Sequence, residues 1–149
     1  MTRLKVLIRG GGDLGSGVGL RLFRAGALLL VAELSKPLVV RRYVSFAEAV
    51  ISGATFVEEV PAQKANSREE VHVLLSKGIV AVVVDPVAES IQWWKPDVLV
   101  DARLHKSSPE IGIQAASMVI GLGPGFTAGV DCHAVVETKR GPTLGRVYW

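Results

Sequence analysis

Residues 4–26 read LKVLIRGGGDLGSGVGLRLFRAG, and this stretch decides the fold. The apolar run Leu4 to Ile8 lacks the alternation of a half-exposed strand, so it reads as a strand covered on both faces, as in parallel sheets. Gly10, Gly12 and Gly15 follow it directly and satisfy G-x-G-x-x-G. That pattern serves a dinucleotide site: one glycine makes the tight turn, one lets backbone approach a pyrophosphate, and one packs helix on strand. The following helix aims its free amides at the anion. Leu14, Val18, Leu22 and Ala25 recur at helical spacing and predict the buried face, while Gly26 supplies a left-handed stop. Glu33 closes the next apolar run about where an acid holds a ribose hydroxyl. Lys36, Arg41 and Arg42 crowd the same region and suit a 2′-phosphate equally well. Gly11 belongs to the same loop, and Asp13, a carboxylate beside a phosphate loop, reads as a helix cap. The alternative is that these glycines only shape a tight turn and bind nothing.

Further apolar runs lie at Leu28 to Val31, Ile79 to Val84, Val98 to Val100 and Met118 to Ile120. Helix signals separate them. Ser45 with Glu48 and Ser67 with Glu70 match the S-x-x-E capping box. Asp85-Pro86 and Ser108-Pro109 read as N-cap followed by proline at the first helical position, and Gly53 and Gly78 read as helix stops. The order predicts an α/β fold: a Rossmann-like open, mainly parallel sheet with helices on both faces. With 149 residues and no long linker or repeat, residues 1–149 read as a single domain with a glycine-rich C-terminal loop region.

Composition narrows the partners. Seventeen basic against 14 acidic residues give a net charge of +3, enough for a phosphate-bearing small molecule but short of a nucleic-acid footprint. No apolar run is long enough to span a bilayer, and Arg9 interrupts the only stretch resembling a signal peptide, so no membrane partner and a cytoplasmic location are expected. Trp93 and Trp94 are assigned one to the core and one to an oligomer contact, since aromatic residues are enriched at interfaces.

A second glycine loop, Gly121 to Gly129, leaves a predicted strand. Its amides, including those of Gly123 and Gly125, can form an anion-binding nest with Thr127 as a further donor, or the loop can be a rigid connection fixed by Pro124. A strand is expected near His133 to Glu137. Asp131-Cys132-His133 places the single thiol between an acid and an imidazole. Cys132 is the catalytic candidate, against a buried cysteine acting as a small hydrophobe. His133 reads as a hydrogen-bonded structural residue, because no second His or Cys sits at metal-ligand spacing. Asp101 and Arg103 end an apolar strand, at the edge where open sheets place ligands, and read as site residues or as a structural ion pair.

Four segments carry a resemblance: IRGGGDLGSGVGLRLFRAG (8–26), KPLVVRRYVSFAEAV (36–50), DVLVDARL (97–104) and GLGPGFTAGVDCHAVVETKRGPTLGRV (121–147). Together they resemble the selenium-dependent molybdenum hydroxylase system proteins, accessory factors distantly similar to XdhC-type maturation proteins. The matching positions are Gly10 to Asp13 and Gly15, Arg41, Arg42, Ser45 and Phe46, Asp101 and Arg103, Gly121 to Gly129, Asp131, His133, Glu137, Arg140 and Gly141. The resemblance implies a role in maturing or inserting the molybdenum cofactor, with a molybdenum hydroxylase as partner, and assigns no residue a catalytic role. It also implies relatives that continue past the GRV segment into a lipoyl-like module.

The resulting expectation is an accessory protein that binds a nucleotide, NAD(P) or adenine nucleotide, or the phosphate of the molybdenum cofactor across both glycine loops. Arg41, Arg42, Asp101, Arg103 and Thr127 would form the walls. The rivals are an NAD(P)-dependent oxidoreductase, which lacks a Y-x-x-x-K proton donor, and a non-catalytic scaffold docking on the hydroxylase.

Overall fold

The computed structural model describes residues 2–149. The first apolar run is β1 (Lys5–Arg9), followed by α1 (Asp13–Arg24) and β2 (Leu28–Glu33). Then come α2 (Glu48–Ser52), β3 (Ala54–Val57), β4 (Val60–Lys64), α3 (Arg68–Ser76) and β5 (Val80–Val84). The chain continues through α4 (Ser90–Trp94), β6 (Val98–Asp101), β7 (Met118–Leu122), β8 (Ala134–Val136) and β9 (Val147–Tyr148). One nine-stranded sheet takes all the strands in the order β3-β4-β5-β2-β1-β6-β7-β8-β9. All neighbours are parallel except the outermost pairs, β3 with β4 and β8 with β9. The expected Rossmann-like open sheet is the observed architecture.

Period-two alternation sorts the sheet's side chains into two cores. Val6, Ile8, Leu29, Val31 and Val100 join Leu20, Phe46, Ala49 and Val50 under α1 and α2. Leu7, Leu30, Ala81 and Leu99 join Val71, Leu74, Leu75 and Trp94 under α3 and α4. Both faces are covered, which is why the strands read as uninterrupted apolar runs.

The burial of α1 corrects the expected face. Its buried residues are Gly15, Ser16, Gly19 and Leu20, whereas Leu14 and Ala25 are exposed and Val18 and Leu22 are only partly buried against the core. The glycines let the helix axis approach the sheet: a Cβ on Gly19 would stand 2.9 Å from Leu29 Cδ2 and 3.0 Å from Ile8 Cδ1. Ser16 is buried because it has polar work to do, donating to Gly11 O at 3.0 Å and accepting from Phe46 N at 2.8 Å.

Ser67 accepts from Glu70 N at 3.1 Å, as its capping box requires, although the Glu70 carboxylate reaches Asn66 N rather than Ser67 N. The other box is not formed. Ser45 Oγ donates to Gly11 O, and Glu48 turns to Arg42, accepting two bonds at 2.6 and 2.8 Å. These bonds hold the Glu48 carboxyl below its ordinary range. Asp85 caps its turn through Glu89 N and Ser90 N, both at 2.8 Å, but the left-handed Ala88 (φ 55°) delays the helix to Ser90. No helix follows Ser108-Pro109; the chain is irregular to a 3-10 turn at Ile113–Ala115. Trp94 is buried, and Trp93 is covered within the chain by His72 and the Arg68 guanidinium at 5.3 Å from its ring.

Among the described residues no helix is long and apolar enough to cross a membrane.

Candidate functional site

The chain runs from β1 to β2, out to the edge hairpin β3–β4, back inward through β5, and then across the sheet to β6 on the other side of β1. Strand order therefore reverses between β1 and β6, and such a switch point opens a crevice beyond the carboxyl ends of the strands. A cavity of about 660 Å³ lies there, lined by Arg9 and Gly10, by Ala32 to Leu34, by Asp85 and Pro86, and by Ala102 to His105. Gly12, Asp13 and Leu14 close one side and the strap Leu38 to Val40 another.

Each glycine of the first loop has a distinct task. Gly10 turns the chain with φ 97° where a Cβ would meet Ala102 and Arg103 at 3.2 Å. Gly15 packs so tightly that a Cβ would overlap the Gly10 carbonyl oxygen. Gly11 is pinned through its carbonyl, which accepts from Ala47 N at 3.0 Å and from the Ser16 and Ser45 hydroxyls. Gly12 is the N-cap of α1 and has no side chain to offer, so the first-turn amides open on the cavity without a side-chain cap. Asp13 is not the cap; it stands at the first helical position and pairs with Arg41 at 3.4 Å.

Glu33 reaches across the loop. Its Oε2 accepts from Gly11 N at 2.7 Å and its Oε1 from Leu34 N at 2.8 Å. A carboxylate has about four acceptor sites, so Glu33, which lines the cavity, keeps two for further donors.

Arg9 and Asp101 are register partners on β1 and β6, and both are buried. Asp101 holds Arg103 bidentately, at 2.9 Å to Nε and 2.7 Å to Nη2. Glu110 spans the two arginines, 2.5 Å from Arg9 Nη1 and 3.3 Å from Arg103 Nη1. Partial burial raises the Glu110 pKa, but its own backbone amide and the two guanidinium groups beside it, Arg103 and Arg9, outweigh this and hold the carboxyl at about 2. A depressed folded-state pKa contributes stability that is complete above the unfolded value and lost as pH falls through the folded one. Glu110→Gln is therefore expected to cost a constant increment, about 1 kcal/mol or less for so exposed a group, above pH 5. The difference from the native protein should shrink between pH 4.5 and 2 in denaturant melts. A difference that grows with acid would contradict it.

The site differs from the expected one on its far side. Gly123, Gly125 and Thr127 do not line the cavity, because the chain from Arg103 to Ser107 lies between the two loops: a Cβ on Gly125 would overlap the His105 carbonyl oxygen and stand 2.6 Å from that of Ser107. The amides of Gly123, Thr127 and Gly129 are spent on Val136 O, Asp131 Oδ1 and Cys132 O. The Phe126 ring fills the space a Gly121 side chain would need. The second loop is thus a packed connection. Arg41 and Arg42 also lie outside the cavity lining, held by Asp13 and Glu48. Cys132 is fully buried, and burial with the neighbouring Asp131 pushes its thiol up to about 11, the reverse of an activated nucleophile. His133 Nδ1 accepts from Val119 N at 2.9 Å, a structural role.

Sequence reasoning missed Arg9, Glu110 and the apolar strap. Arg9 did leave a signal: an arginine at the end of a strand buried on both faces needs a reason.

The chain is 46% identical over 144 residues to the uncharacterized protein YqeB of Escherichia coli K12, which covers 97% of this chain and 27% of that protein. It thus spans about a quarter of the length of the curated relative it matches. No family model and no solved structure matches.

Proposed function

We propose that this chain is a nucleotide-binding accessory module for maturation of a selenium-dependent molybdenum hydroxylase. It holds an adenine nucleotide, NAD(P) or the pterin phosphate of the molybdenum cofactor in the cavity at the switch point. The observation that carries the binding half is the uncapped amino end of α1 opening on that cavity, where the helix dipole and free amides favour an anion. Glu33 supports it, with acceptor sites left for ribose or pterin side-chain hydroxyls. Leu14, Leu34, Leu38 and Val39 offer an apolar wall to a flat ring. The maturation half rests on the motif resemblance, which spans nearly the whole chain.

Binding is tested by thermal melts with AMP, NAD, NADP, FAD and molybdopterin compounds. A ligand at 100 times its Kd adds about 2.7 kcal/mol, which raises Tm by roughly 5–10 °C for a domain of this size. Gly12→Asp should melt within about 2 °C of the native protein, since a Cβ there meets only Val39 at 3.8 Å. The same change places a negative charge at the amino end of α1 and should weaken binding at least tenfold (about 1.4 kcal/mol). Melts unmoved by every compound would contradict the reading. A hydroxylase captured equally by native protein and Gly12→Asp would mark a docking scaffold instead. Glu33 also suits an NAD-dependent oxidoreductase, but Tyr43 and Tyr148 lie outside the cavity lining, and absence of nicotinamide turnover separates the two.

A further inference from the structure

Among the described residues, Arg9 and Ser90 carry buried side-chain polar atoms without a hydrogen-bond partner, and of the two Arg9 lines the cavity. Arg9 is 2% exposed, and its Nη2 donates to Pro86 O at 2.9 Å. Nε has no partner, and Nη1 touches the Glu110 carboxylate at 2.5 Å without the geometry of a hydrogen bond. A guanidinium carries five donors, and burying them unmade is costly, more so for a charged group. A residue placed this way calls for an oxygen-rich anion.

Glu110 meets that demand only in part. It sits in the irregular chain between β6 and the 3-10 turn, its side chain 57% exposed, and it reaches Arg103 at 3.3 and 3.4 Å. Arg103 keeps its place without it, because Asp101 already holds the Nε–Nη2 edge of that guanidinium bidentately and only Nη1 depends on Glu110. The carboxylate therefore rests on two cations that the strand ends fix independently, and it can leave without disturbing them.

We infer that Glu110 is a built-in surrogate for the ligand's anionic group. A phosphoryl group displaces its carboxylate from the notch between Arg9 and Arg103, and Glu110 swings out to solvent. A phosphoryl group presents three oxygens where Glu110 presents two, so it can satisfy Arg9 Nε and Nη1 and still reach Arg103. Glu110 stays ionised across ordinary working pH, so displacement rather than protonation frees the notch. This rests on the reading of the cavity as a nucleotide site and names the group that anchors there.

The test is calorimetric titration at low salt of native protein, Glu110→Gln, Glu110→Asp and the double variant Glu110→Gln/Arg103→Gln with inorganic phosphate, AMP and adenosine. Glu110→Gln should bind phosphate and AMP up to about fivefold tighter than native protein, as expected when a competing charge worth about 1 kcal/mol is removed. Adenosine should bind both equally, Glu110→Asp should fall between, and the second substitution should abolish the gain. Tighter phosphate with no AMP or adenosine binding would support the exchange while refuting the nucleotide reading. AMP bound equally by native protein and both single variants would overturn the exchange and leave the nucleotide reading intact.

Discussion

Gly15→Ala is expected to destabilise the fold by about 3 kcal/mol and lower Tm by roughly 10 °C, although alanine is the better helix former. The propensity gain is about 1 kcal/mol. Against it, the new Cβ overlaps the Gly10 carbonyl oxygen and stands 3.2 Å from Ala102 Cβ. Neither neighbour can give way: Gly10 N donates to Ala32 O at 2.9 Å, and Ala102 N donates to Arg9 O at 2.8 Å. The first turn of α1 would have to lift from the sheet. Gly17→Ala is the control, since nothing lies within 4 Å of a Cβ there, and it should stabilise by about 0.5–1 kcal/mol. Calorimetric melts of the two variants check the pair; a Gly15→Ala melt within a degree or two of native would show that the loop tolerates a side chain.

Arg9→Met should leave stability unchanged or raise it by about 1–2 kcal/mol, because a buried ion replaced by an apolar chain of similar length no longer carries a desolvation cost. Its neighbours permit this: Leu7 and Ala32 lie on the same face of the sheet, and Glu110 is already half in water. Anion binding should fall at least a hundredfold (about 2.7 kcal/mol) as the buried donors vanish. Stability and affinity thus move in opposite directions, the signature of a residue kept for its ligand. A loss of about 3 kcal/mol or more in a denaturant melt would instead make Arg9 structural.

The central strands were legible because their burial on both faces leaves uninterrupted apolar runs, and β1, β2, β5, β6 and β7 fall where those runs lie. The β3–β4 hairpin was not. Its turn uses Glu58 and Glu59 at φ 45° and 71°, where the recognisable residues are asparagine, aspartate and glycine. Pro61 further argues against a strand, and is tolerated because the pairing with β5 begins only at Ala62.

The two glycine loops were read alike because an anion nest and a tight packing contact both require a missing Cβ. Only placement separates them: Gly12 opens on the cavity, while Gly125 lies under the chain at His105 to Ser107. The partnership of Arg9 with Glu110 joins residues 101 positions apart through a segment without regular structure, so no periodicity could announce it.

An amide NMR titration with AMP addresses the cavity most directly. Binding as described should shift Gly12, Asp13, Leu14 and Leu34 together with Arg103 in one saturable process. Shifts confined to Gly123 through Thr127, or none at the amino end of α1, would contradict it.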